Sequence, residues 1–119
     1  MTIVSGAMLG ILQEAGNSIM IMTEGLECDE FFSTRITQQE VLRQLRAMTD
    51  TVFNLPYEIK QRMIEIDWEA WSALSVQFSK TDESMKEAVW FAVRSLVPAT
   101  LLWLRVFHKS TPELFSFVD

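Results

Sequence analysis

The sequence is poor in the residues that carry metal, redox and disulfide chemistry. Its 119 residues include one cysteine, Cys28, and one histidine, His108. A lone cysteine closes no internal disulfide, which fits a reducing compartment, the cytoplasm. Zinc requires several Cys or His ligands, and one of each, far apart in the chain, does not supply them. Three prolines and four glycines are few, and with no low-complexity stretch and no repeat at a fixed period the composition excludes disorder and a solenoid. No glycine-rich phosphate loop of either common spacing is present, which removes the usual nucleotide-binding signals. Neither a cofactor nor a metal is expected.

Basic residues are also scarce. Ten Lys and Arg stand against sixteen Asp and Glu, a formal net charge of −6, which opposes the basic footprint by which nucleic-acid binders neutralise phosphates. RNA contact would need a local patch, and Arg35, Arg43, Arg46 and Arg62 are its only candidates; they read better as solvated charges on helix faces. Long apolar runs are missing too. Thr2 to Met22 has no basic leader and is interrupted by Gln13, Glu14, Asn17 and Ser18, so it reads as a core helix. The most apolar run, Leu96 to Phe107, contains Pro98 and Arg105 and falls short of the roughly 20 residues that span a bilayer. No membrane segment is expected.

What is present is an apolar fraction of 49%, enough for one core in a single domain over residues 1–119. A first helix is expected from near Thr2 to Thr23, with Gly25 ending it. Glu27, Asp29 and Glu30 then read as an acidic loop. Thr37-Gln38-Gln39-Glu40 has the capping-box pattern and is expected to start the next helix. Val41, Leu45, Met48 and Val52 recur at spacings of four, three and four, the core stripe of that helix. Pro56 suits the first position of a short helix carrying Glu58 to Arg62, and Asp67 suits the cap of another reaching Phe78.

Thr81-Asp82-Glu83-Ser84 offers a further N-terminus, with acids in the first turn where the helix dipole favours them. The last helix has a stripe of Met85, Val89, Ala92, Leu96, Ala99, Trp103 and Val106. Trp90, Phe91, Val97, Leu101 and Leu104 make it apolar on other faces as well, and are the candidate interface residues, with Trp90 the anchor. Pro98 inside this run is expected to kink the helix. No alternating run argues for a strand, so the chain reads as all-α.

Candidate chemistry is sparse. His108 has no positioned partner nearby in sequence and reads as a helix-end residue stabilised by the dipole. Cys28 lies among acids, which disfavour a thiolate, so it reads as structural. Glu27, Asp29 and Glu30 offer weak magnesium chelation at most, and a solvated acidic loop is the simpler reading. Trp68 and Trp71, three apart, are expected to be buried on one helix face.

A series of segments in order carries a family resemblance. These are Glu24-Gly25-Leu26 with Phe31-Phe32, Arg35-Ile36-Thr37-Gln38 leading into Val41-Leu42-Arg43-Gln44-Leu45, Asn54-Leu55-Pro56-Tyr57-Glu58-Ile59-Lys60, and Ile64-Glu65-Ile66-Asp67-Trp68. Val89-Trp90 and Leu96-Val97-Pro98 continue the series. The chain thereby resembles the HepT-like branch of the HEPN families, small helical toxins of toxin–antitoxin pairs. The resemblance implies a dimeric, up-and-down HEPN-like bundle of about four to five helices, with a minimal nucleotidyltransferase as partner and antitoxin.

The resemblance also implies a loss. Active members are metal-independent ribonucleases with an arginine, often followed by asparagine, and a histidine shortly after the tryptophan that matches Trp68. Those positions fall on Ser75, Val76 and Lys80. Ser75 and Lys80 supply a cation at most, whereas cleavage needs proton transfer at the 2′-hydroxyl and charge stabilisation at phosphorus. The tyrosine that partners modify with AMP in some members has no counterpart, since Tyr57 lies well upstream. The expectation is a catalytically silent module acting through homodimerisation and partner binding. The alternatives are an RNase using substitute residues such as Lys80, Arg35 or His108, and a helical adaptor outside the family.

Overall fold

Helix α1 (Ile3–Thr23) buries Leu9, Leu12, Ala15 and Ile19, spacings of three, three and four that place them on one face. It stops where Gly25 takes a φ of +76°, a left-handed geometry that costs a residue without Cβ nothing. This computed structural model describes residues 3–80 and 83–115. Among them every regular element is helical and no strand occurs, in keeping with the all-α expectation.

The acidic segment after α1 is not a loop. It forms helix α2 (Cys28–Ser33), started by the Glu27 backbone N–H donating to Glu30 Oε1 at 3.1 Å and anchored by the fully buried Phe31. Helix α3 (Arg35–Asn54) follows after Thr34 alone. It therefore begins before the expected capping box, and Thr37 lies inside it. Glu40, instead of reaching back to the backbone, bonds forward to Arg43 and Gln44. The expected stripe of Val41, Leu45, Met48 and Val52 is buried.

Pro56 sits immediately before helix α4 (Tyr57–Arg62) rather than within it. Helix α5 (Trp68–Gln77) is capped by Asp67, which accepts from the Ala70 N–H at 3.0 Å. The proposed start at Thr81-Asp82 lies outside the described residues; helix α6 (Glu83–Phe91) is described from Glu83 onward. Beyond it come a π-helical turn, Ala92–Leu96, helix α7 (Val97–Ser110) and a short 3-10 turn, Pro112–Phe115.

Helix α6, the π turn and α7 are continuous over Glu83–Ser110, so Pro98 does not end the helix. The Val97 N–H reaches back five residues to the Ala92 carbonyl, and this widened turn precedes the proline, whose missing N–H and ring would strain a regular α-turn. The wide turn also rotates everything after it. The expected stripe holds through Leu96, but beyond it Val97, Thr100, Leu101 and Leu104 are buried while Ala99 and Val106 are exposed and Trp103 is half-buried. A wider turn keeps residues four apart, Val89, Val93, Val97 and Leu101, on one face, where a regular α-helix would let them drift around the axis.

The joined helix is long and apolar enough to cross a membrane by length and composition, which the Leu96 to Phe107 run by itself is not. Over its most apolar window it is 44% buried within the protein. Helix α1 is central: it packs along α3 on one side and α7 on the other, while α5 packs on α3 and α6. Gly16 of α1 meets Leu101 of α7, and Gln13 meets His108, so α1 and α7 run antiparallel. The buried side chains of all these helices form one connected core.

Candidate functional site

Ser75 and Val76, two of the positions to which the resemblance assigns the ribonuclease motif, lie on α5, and where they face follows from how α5 packs. Trp71 and Leu74 are buried, which turns Ser72, Ser75 and Val76 outward beside α3. Between the helices lies a groove of about 280 Å³ lined by Thr49, Phe53, Lys60, Trp71, Ser75 and Val76, among others. Its rims are apolar: Phe53 is 83% exposed and Val76 61%. Among the described residues Lys60 is the one charged side chain in the lining.

Lys80, the other position that matches the family motif, does not enter this groove. It lies exposed in the turn after α5, where its N–H donates to the Gln77 carbonyl at 3.0 Å. Among the described residues the lining beside Ser75 has no imidazole or carboxylate, and Lys60 is its ionisable side chain. His108 is on another part of the protein, in the last turn of α7, stacked on Phe115 with ring centroids 4.4 Å apart and Gln13 Nε2 3.5 Å from Nδ1. Its place at a helix end and its stacking give it a structural role.

Arg43 pairs with Glu40, Arg46 lies 5.4 Å over the Phe78 ring, and Arg62 reaches Glu113 at 4.0 Å. The Arg43 guanidinium and the Gln44 amide, both hydrogen-bonded to the Glu40 carboxylate, hold it below the usual glutamate range. Among the described residues no three His, Cys, Asp or Glu side chains are grouped so as to hold a metal ion. Glu27 and Glu30 are instead engaged in starting α2.

The candidate interface residues divide. Val97, Leu101 and Leu104 are buried in the protein's own core, Leu101 directly against Gly16, so α1 supplies cover that was expected from a partner chain. Trp90 is half-buried against Phe31, Phe32 and the Arg94 guanidinium, and Phe91 is 52% exposed. Of the other tryptophans, Trp71 is fully buried. Trp68 is half-buried, its indole N–H shared between the Lys60 and Met63 carbonyls at 3.2 and 3.0 Å. Sequence reasoning missed Phe53 and Lys60 as lining residues. Phe53 was detectable: a large aromatic directly after Val52 falls off the α3 core stripe and has to face elsewhere. Lys60 carried no such signal, because α4 is too short for its periodicity to decide a face.

No family model, curated protein or solved structure matches the chain.

Proposed function

We propose that the protein is a catalytically silent, HepT-like module of HEPN type that forms a homodimer and binds a protein partner, the resemblance implying a minimal nucleotidyltransferase. One observation supports this reading above the rest. The groove that contains Ser75, where active relatives of the resembled family carry arginine, has the chemistry of a contact surface rather than a catalytic one. Among the described residues its lining has two large exposed apolar side chains, Phe53 and Val76, one lysine, and no histidine or carboxylate. Exposed apolar patches of this kind mark association surfaces, and loss of an acid–base pair removes several kcal/mol of transition-state stabilisation in typical enzymes.

The test is the solution mass of the purified chain by light scattering, together with an RNA-cleavage assay on the same sample. A dimer that leaves RNA intact is expected, and a Phe53→Ser/Val76→Ser double variant is expected to shift it toward monomer. A strict monomer with no partner would sink the reading. RNA cleavage abolished by Lys80→Ala would replace it with an active enzyme that uses substitute residues.

A further inference from the structure

Helices α2 and α6 enclose a second groove, of about 420 Å³. Cys28, Asp29 and Phe32 line it from α2, and Glu83, Lys86, Glu87, Trp90 and Phe91 from α6. The α6 positions recur at three, four, seven and eight residues from Glu83, so one whole face of that helix borders the groove. The two helices run antiparallel here: Arg94 donates to the Leu26 carbonyl just before α2, while Lys86 lies over Phe32 near its end.

The groove is aromatic between acidic walls. Phe32 and Trp90 have ring centroids 6.4 Å apart and rest on the buried Phe31, 5.6 Å from Trp90. Phe91 stands exposed on the rim. The Lys86 ammonium is taken up by Glu83 at 3.4 Å. Among the described residues no basic side chain pairs with Asp29 or Glu87, so the groove presents unneutralised carboxylates beside an apolar strip.

We propose that this groove docks a basic amphipathic helix of a partner protein, with an apolar side chain on the Phe32–Trp90–Phe91 strip and lysine or arginine reaching Asp29 and Glu87. The proposal rests on the reading of the chain as a partner-binding module and names the chemistry of that partner. An aromatic pocket supplies the anchoring contact for a helix laid in a groove, and the carboxylates select charge and raise the encounter rate. A second copy meeting this groove through its own fits poorly, because the two would set Asp29 and Glu87 of each copy against the like charges of the other. Nucleic acid is repelled for the same reason.

The test uses the full chain and a fluorescein-labelled Leu/Lys amphipathic helical peptide, with a Leu/Glu peptide of the same pattern as control, read by fluorescence anisotropy. The Leu/Lys peptide is expected to bind at least about tenfold more tightly than the Leu/Glu peptide. Asp29→Lys/Glu87→Lys is expected to weaken it about tenfold or more, and Phe91→Ala, a change at the exposed rim, by a similar factor. Glu14→Lys/Glu65→Lys, two exposed carboxylates outside the groove that change the net charge by the same amount, is expected to leave binding unchanged. Absence of Leu/Lys binding overturns the proposal. So does equal weakening by Glu14→Lys/Glu65→Lys, which reveals bulk charge, or a Phe91→Ala effect on the chain's own mass without any on the peptide, which identifies a second copy as occupant. Light scattering on the same samples separates the two readings. A monomer that binds the peptide here leaves the groove standing and removes the dimer, and a dimer indifferent to the peptide does the reverse.

Discussion

The indole N–H of Trp71 donates to Thr100 Oγ1 at 3.0 Å, a buried bond between residues 29 apart that ties α5 to α7. Both side chains are almost wholly inaccessible, so neither has water as a substitute partner. Thr100→Val keeps the shape and removes the acceptor, leaving a buried donor unpaired at a cost of about 1–3 kcal/mol. Thr100→Ser keeps the hydroxyl and should cost less than Val. Urea unfolding of the three proteins checks the order, and a Val variant as stable as the parent would show that the bond contributes nothing.

Gly16 and Leu101 meet where α1 and α7 pack. A Cβ at position 16 would stand 2.7 Å from Leu101 Cδ2 and 3.0 Å from its Cγ, so the Leu101 side chain would have to shift. Gly16→Val is expected to destabilise by about 1–3 kcal/mol through overpacking. Combined with Leu101→Ala, part of that cost should return, giving a coupling of about 0.5–3 kcal/mol in a double-mutant cycle. Strict additivity of the two changes would mean that these residues do not touch.

Asp67 caps α5 through its bond to the Ala70 N–H. Replacing it with Ala should lower stability by about 1 kcal/mol, while Asn, which keeps an acceptor oxygen, should lower it less. Thermal unfolding distinguishes them; identical midpoints for Ala and Asn would rule out the cap as the source.

Glu40 provides a pH test. Hydrogen bonding from Arg43 first, then from Gln44, depresses its carboxyl below the usual value. A group depressed in the folded state adds stability that is present above its unfolded pKa and lost as pH falls through the lowered folded value. Arg43 is exposed and Glu40 half-buried at the surface, so the change in stability should be slight and should fade with added salt. Arg43 is raised from an already high value and stays charged throughout that acidic range. An NMR titration of the Glu40 carboxyl is expected to show its midpoint rise toward the ordinary glutamate range in Arg43→Gln. An unmoved midpoint would show that the pair does not form in solution.

Short-range chemistry was legible and long-range packing was not. The α3 stripe, the Asp67 cap and the Gly25 stop each depend on residues within a turn or two of one another, and each can be read from spacing alone. The acidic segment was misread because Phe31, which holds α2 down, is buried against partners such as Trp90 that are distant in sequence. The same limit applied to the candidate site. Ser75, Val76 and Lys80 are neighbours along the chain, yet only the first two line the α3–α5 groove, since Lys80 has passed the end of α5 into a turn.

By itself, then, the sequence determined the helical class, the apolar faces up to Leu96 and the acidic charge, all properties of composition or of one helical period. Only the tertiary structure decided which apolar faces remain open. The π turn before Pro98 rotates Val97, Leu101 and Leu104 into the core, whereas a regular helix would carry the stripe on through Ala99 and Val106. Antiparallel packing of α2 against α6 leaves Phe91, Asp29 and Glu87 on an open groove. Burial is a property of pairs of surfaces, and the pairing partners here lie tens of residues apart, beyond the reach of any local pattern.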